Sequence, residues 1–261
     1  MSASFTRLAG LFSCFCLVAC RHVPTEHERH GAEIHYDLGV QEQLGGDITS
    51  AVRDFQQAIE LDDKFAEAHN AYALLLHLSF HKNAEAIEHY KRALQIRPTF
   101  SEAKVNLANV YLSSDQYDSA IRLYREALND MLYPTPYIAE NNLGWALYKK
   151  GDVATAVDNI KAAVTTNPRF CSGYRNLGII WEEHGKRAEA CQQFAQLFKH
   201  CPDDPEANFR QGVCLAGDGK TNGAREAFST CLTKDPPASL KEQCRTQLDK
   251  LGRMAPQTGN P

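Results

Sequence analysis

The sequence predicts an all-α protein built as a superhelix of paired helices. In residues 171–204, large and small side chains occupy fixed positions of a 34-residue unit, namely Tyr174, Leu177, Gly178, Trp181, Ala190, Phe194 and Pro202. Gly178 and Ala190 fit where two antiparallel helices cross, and Pro202 ends the second helix because proline has no amide hydrogen to donate. One such pair cannot bury its own apolar faces, so the unit should recur.

The unit recurs along most of the chain. Six copies cover residues 32–65, 66–100, 101–134, 137–170, 171–204 and 205–238, with one extra residue in the second copy around 79–82. This period and its small-residue positions resemble the tetratricopeptide repeat, which implies about six helix-turn-helix repeats. Residues 239–252 carry apolar side chains on one helical face and predict a C-terminal capping helix. We expect residues 253–261 to form a disordered tail.

Composition and motifs argue against an enzyme. A formal net charge of -4 and 43% hydrophobic residues are ordinary for a globular chain, and no basic excess indicates nucleic acid as a partner. The sequence lacks a phosphate-binding loop, a nucleophile elbow and a His-Glu-x-x-His motif. We therefore expect no catalytic residues, no metal site, no cofactor and no small-molecule substrate.

The first residues have the pattern of a lipoprotein signal peptide. Residues 1–19 contain one positive charge and an apolar run at 8–19, which is too short to span a bilayer. The sequence Leu-Val-Ala-Cys ending at Cys20 resembles the bacterial lipobox, which implies diacylglycerol and an N-acyl chain on Cys20. A plain secretory signal or a short uncleaved anchor is the alternative. Residues 20–31 are polar and predict a flexible tether. Arg21 after the cysteine implies sorting to the outer membrane, periplasmic face.

Six cysteines in the C-terminal part of the chain predict disulfides. Six cysteines lie in the last two repeats and the closing helix, and an even number in an exported protein indicates pairing. The antiparallel register of neighbouring helices brings Cys191 near Cys214. The same reasoning brings Cys231 towards Cys244. Cys171 and Cys201 lie at the two ends of the fifth repeat, which fold back to the same edge. Reduced, buried cysteines are the alternative.

The concave face is the candidate binding surface. The inward positions of the first helices are often large and apolar: Tyr36, Val40, Asn70, Leu74, Val105, Leu112, Ile138, Asn141, Trp145, Tyr148, Arg175, Ile179, Phe209 and Val213. We expect an exposed apolar groove that binds an amphipathic helix or extended peptide, anchored by Trp145, Tyr148 and Phe209. Alternatively, some of these side chains contact the neighbouring turn of the superhelix or the closing helix.

A lipobox cysteine followed by six tetratricopeptide repeats resembles the pilotin lipoproteins of type IV pilus secretins, the Tgl, PilF and PilW group. The resemblance implies a lipid-anchored outer-membrane protein that binds secretin subunits and promotes their assembly into the channel. Two other classes remain open. One is a periplasmic scaffold for another envelope machine, and the other is a binding module for peptidoglycan or lipid, against which an apolar groove argues.

Overall fold

A computed structural model describes residues 23–254, which form thirteen helices and no strand. The helices are α1 (Glu26–Gly45), α2 (Ile48–Leu61), α3 (Ala66–Leu78), α4 (Asn83–Ile96), α5 (Ser101–Ser113), α6 (Tyr117–Leu128), α7 (Pro136–Lys149), α8 (Val153–Thr166), α9 (Cys171–Glu183), α10 (Arg187–His200), α11 (Pro205–Gly217), α12 (Thr221–Thr233) and α13 (Ala238–Met254). Helices α1 to α12 form six pairs, and α13 packs on α12. The predicted all-α repeat superhelix is confirmed.

Each pair is held together at the same crossing point. A large residue of the second helix is fully or almost fully buried in every repeat: Phe55, Tyr90, Tyr124, Ile160, Phe194 and Phe228. The first helix places glycine or alanine against it, and a Cβ atom built on Gly178 would lie 2.3 Å from Cε1 of Phe194. Small residues at this position therefore set the distance between the two helices.

The turns inside the pairs share one backbone conformation. Each contains a residue with positive φ: Gly46, His81, Asp115, Gly151, Gly185 and Gly219. Glycine supplies this left-handed conformation without steric cost in four of the six turns. The extra residue of the second repeat lies in the turn 79–82, which is one residue longer than the three-residue turns of the four repeats that follow.

Both ends of the helical array differ from the sequence prediction. Helix α1 begins at Glu26, so a tether through residue 31 is wrong for residues 26–31. A capping box fixes this start: the Thr25 amide donates to Glu28 Oε2 at 2.7 Å, and the Glu28 amide donates to Thr25 Oγ1 at 3.2 Å. Helix α13 continues through Gly252 to Met254, two residues beyond the predicted end.

Other predictions fall outside the described residues. These are the signal peptide at 1–19, Cys20 with the first part of the tether, and the tail from residue 255. Within residues 23–254, none of the helices combines the length and apolar composition needed to cross a bilayer.

Three disulfides join the helices of the C-terminal third. Cys171 bonds to Cys201 within the fifth repeat, Cys191 on α10 bonds to Cys214 on α11, and Cys231 on α12 bonds to Cys244 on α13. The Cα–Cα distances of 6.3, 5.6 and 6.6 Å lie in the range that disulfides span. These are the pairs that the helical register predicts.

Candidate partner-binding face

The inner face of the superhelix is less exposed than the sequence predicts. Twelve of the fourteen proposed groove residues are half-buried, while Val105 and Asn141 are each only 3% exposed. The prediction of exposed side chains is therefore wrong for Val105 and Asn141. The physical reason is that the first helices of adjacent repeats contact one another, α3 with α5, α5 with α7 and α7 with α9.

Several large groove residues also support repeat packing. Trp145 packs against the cluster of Val157 and Leu177, and Phe209 packs against the cluster of Phe228 and Leu251. The ring centroids of Phe209 and Phe228 are 5.9 Å apart. Contact with the closing helix is the alternative that the sequence left open, and Phe209 makes it through the cluster that contains Leu251 of α13. Only the exposed edges of these side chains are left for a partner.

An aromatic pair marks the centre of the inner face. The Trp145 and Tyr148 ring centroids are 5.3 Å apart, and the Tyr148 hydroxyl donates a hydrogen bond to the Glu183 carboxylate on α9. Burial and this carboxylate raise the pKa of Tyr148 to about 12, so the hydroxyl stays protonated and keeps its bond to Glu183. The bond to Glu183 and the contact with Trp145 orient the Tyr148 ring, and a binding anchor benefits from such support.

The positive charge of Arg175 is not free to bind a partner at the inner face. Its guanidinium pairs with Asp204 and, at 2.9 Å, with Glu206 at the start of α11. Arg175 is only 27% exposed. Its charge therefore links the fifth repeat to the sixth and is already compensated.

A row of asparagines crosses the inner face. Sequence reasoning predicted two of its members, Asn70 and Asn141, but missed the hydrogen-bonded row as a whole. Each inter-repeat bond runs from an Nδ2 donor to an Oδ1 acceptor: Asn106 to Asn70 at 3.1 Å, Asn142 to Asn109 at 2.9 Å, and Asn176 to Asn141 at 2.9 Å. Asn141 also donates to Asn142 at 2.9 Å. We call these six residues the asparagine row. A signal was present, because Asn106, Asn142 and Asn176 occupy the same position of three successive repeats.

The asparagine row can bind polypeptide main chain. Five of its six members are half-buried and not fully enclosed. An asparagine amide has two N–H donors and a carbonyl acceptor. The donor of an inter-repeat bond uses only one of its two N–H groups, so the second N–H can donate to a C=O group of a partner. The Oδ1 atom of Asn109, by contrast, already accepts hydrogen bonds from Asn142 and from the Tyr124 hydroxyl. The bonds within the row also fix the direction in which each amide points.

Family models of the tetratricopeptide repeat match most of the chain. One matches residues 77–131, and another matches residues 42–99, 105–174 and 176–239. Among curated proteins, the chain is 27% identical over 221 residues to the BBSome complex member BBS4 of Bos taurus, and 28% identical over 153 residues to the tetratricopeptide repeat-containing protein trd-1 of Caenorhabditis elegans. The alignments cover 83% and 58% of this chain but only 40% and 20% of those relatives, so the chain spans less than half the length of either.

Solved structures of similar shape include PilW and PilF. PilW, described as a widely conserved type IV pilus biogenesis factor, matches with a TM-score of 0.72 and 22% identity over 83% of this chain and 98% of its own. PilF of Pseudomonas aeruginosa matches with a TM-score of 0.71 and 17% identity over 85% and 100%. At these identities the likeness shows the fold.

Repeats of this kind bind protein partners or peptides. Because one repeat model alone matches well over half of the residues, the chain belongs to the tetratricopeptide repeat family.

Proposed function

We propose that this protein is a pilotin for a type IV pilus secretin. In this role it is a lipid-anchored protein of the outer membrane, periplasmic face, that binds secretin subunits and promotes their assembly into the oligomeric channel. The observation that carries the proposal is the shape match: the superhelix corresponds to 98% of PilW, a type IV pilus biogenesis factor. The lipobox-like sequence at Cys20 is the second support.

A lipid on Cys20 would hold the repeats close to the membrane. Only five residues separate Cys20 from Glu26, where α1 begins. Six Cα–Cα steps extend at most about 20 Å, so the first repeat would stay near the bilayer surface. Two or three acyl chains anchor a protein far more firmly than one. Subunits bound to such a protein are concentrated at their target membrane, which favours oligomerisation without chemistry.

The inner face is suited to hold a subunit segment before assembly. The half-buried rings of Tyr148 and Phe209 can cover apolar side chains, while the asparagine row can bond to main-chain groups. This combination favours an extended segment over a helix, because a helix already uses its main-chain hydrogen bonds internally. The segment would be released when oligomerisation buries it.

Secretin multimers provide the direct test of this role. In the bacterium that carries the gene, deletion is expected to remove the heat-resistant secretin multimer from outer membranes while the monomer persists. Cys20→Gly should give the same or nearly the same loss, because the protein is no longer anchored where subunits insert. Immunoblots of membrane fractions, with total secretin as the control, measure both effects.

Normal multimers in the deletion strain would contradict the pilotin role. They would favour the other candidate, a periplasmic scaffold for a different envelope machine. If multimers were lost in the deletion strain but normal in the Cys20→Gly strain, the pilotin role would stand and the need for a lipid anchor would be rejected.

A further inference from the structure

A cavity opens at the end of the inner face where helices α3 and α5 begin. Its volume is about 460 Å³, and its walls include Tyr36, Glu67, Asn70, Glu102 and Tyr133. Tyr36 and Asn70 are two of the groove residues predicted from the sequence. We call this cavity the acidic pocket, because three carboxylates and a single guanidinium lie in its walls.

The three carboxylates of the acidic pocket differ in their ion-pair and hydrogen-bond partners. Glu67 pairs with Arg97 at 2.6 Å. Asp130 accepts hydrogen bonds from the Ser101 hydroxyl at 2.7 Å and from the Leu132 amide at 2.9 Å. Glu102 is exposed at the first turn of α5. One positive charge therefore faces three negative charges, and Glu102 is the carboxylate most accessible to a ligand.

The carboxylates of the acidic pocket also affect the Tyr36 hydroxyl. Its pKa is raised first by burial and then by the charges of Glu67, Glu102 and Asp37, with only Arg97 acting in the opposite direction. The same carboxylates would attract a cation placed beside Tyr36.

The pocket already binds one basic side chain of its own chain. The Arg97 guanidinium carbon lies 3.7 Å from the centroid of the Phe100 ring, while its Nη1 atom bonds to Glu67. An aromatic face combined with a carboxylate is the environment that a guanidinium or ammonium group prefers. Tyr36, Tyr133 and Glu102 offer the same combination on the remaining walls.

The acidic pocket is continuous with the asparagine row. Asn70 lines the pocket and accepts the hydrogen bond of Asn106. At the rim, the connection between α6 and α7 presents Met131 and Leu132, which are 98% and 90% exposed. A peptide segment bound along the asparagine row would therefore lead from the asparagine amides into the acidic pocket and past the apolar side chains at its rim.

We propose that the acidic pocket receives a lysine or arginine side chain of the extended segment bound along the asparagine row. The aliphatic stem of that side chain packs between Tyr36 and Tyr133, its cationic head meets Glu102, and a neighbouring apolar residue of the segment contacts Leu132. The inference rests on the proposed binding of a protein segment by the inner face, and it adds the chemical class of the residue that is recognised.

The inference is tested by using the purified protein to select binders from a library of short random peptides displayed on phage. Selected peptides are expected to share a lysine or arginine at one recurring position. Synthetic versions should bind Glu102→Lys at least about tenfold more weakly than wild type, because like charges then face each other. Glu102→Gln should give a smaller loss. Glu189→Lys, on the exposed surface of α10, is the matched control and should bind like wild type.

Circular dichroism melts of the three variants check that each is folded. Selected peptides without a shared basic residue, binding to Glu102→Lys as tight as to wild type, or a failure to select any peptide would overturn the inference. Whether the selected sequences occur in the secretin is a separate result. Basic peptides unrelated to the secretin would keep the pocket assignment and count against the pilotin role.

Discussion

Reduction of the protein is expected to unfold its C-terminal third at denaturant concentrations where the N-terminal repeats remain folded. The three disulfides close loops with sequence separations of 30, 23 and 13 residues. Loops of this size correspond to about 2–4 kcal/mol of stabilisation for each linkage. All three bonds lie between α9 and α13, and repeat proteins transmit stability mainly between neighbours. Hydrogen exchange in urea, with and without reductant, measures the loss of protection helix by helix.

Paired substitutions separate the contributions of these bonds. Cys191→Ala with Cys214→Ala removes the only disulfide that crosses a boundary between repeats in the described chain, whereas Cys171→Ala with Cys201→Ala removes one within a repeat. We expect the first pair to uncouple α11 to α13 from the preceding repeats. The same unfolding curve before and after reduction, or six free thiols in the oxidised protein, would contradict the disulfide assignment.

Substitution of Gly178 by valine is expected to destabilise the protein by about 3 kcal/mol, the upper end of the usual cost of overpacking a core. Its Cβ atom would lie 2.3, 2.6 and 2.7 Å from three atoms of the Phe194 ring. That ring is 2% exposed and belongs to a buried cluster with Ala190, Leu197 and Cys214. Thermal unfolding followed by circular dichroism measures the change.

Gly45→Val is the matched control for this substitution. Gly45 is the last residue of α1, and no atom lies within 4 Å of its Cβ position. Only a small change in stability is therefore expected, because valine does not clash there and has a slightly better helix propensity than glycine. Adding Phe194→Ala to Gly178→Val should cost less than the sum of the two single changes, since the clash disappears with the ring. Equal effects of Gly178→Val and Gly45→Val would show that the crossing point is not tightly packed.

The repeat architecture could be predicted from the sequence because its determinants are local. Small residues such as Gly178, buried rings such as Phe194 and left-handed turn residues such as Gly185 recur at fixed spacing. The cysteine pairs could be predicted for the same reason, since a regular helical register converts sequence separation into proximity. The start of α1 at Glu26 was also visible in the Thr25-x-x-Glu28 pattern, which the polar composition of the segment obscured.

The candidate site was harder to predict because it depends on the curvature of the superhelix. Val105 and Asn141 face inward as expected, but contact between adjacent first helices buries them. The asparagine row requires the register of one repeat against the next, and no single-repeat pattern contains that information. The acidic pocket combines Tyr36, Glu67 and Glu102 from three separate repeats of the chain.

Site-specific photocrosslinking in living cells tests most directly the claim that the inner face binds secretin subunits. A photoreactive phenylalanine analogue at Tyr148, on the inner face, is compared with the same analogue at Asp158, an exposed residue of α8. We predict a covalent adduct with the secretin from position 148 and none from position 158, with both variants present at equal levels. The absence of a secretin adduct from position 148, or equal adducts from both positions, would contradict the account.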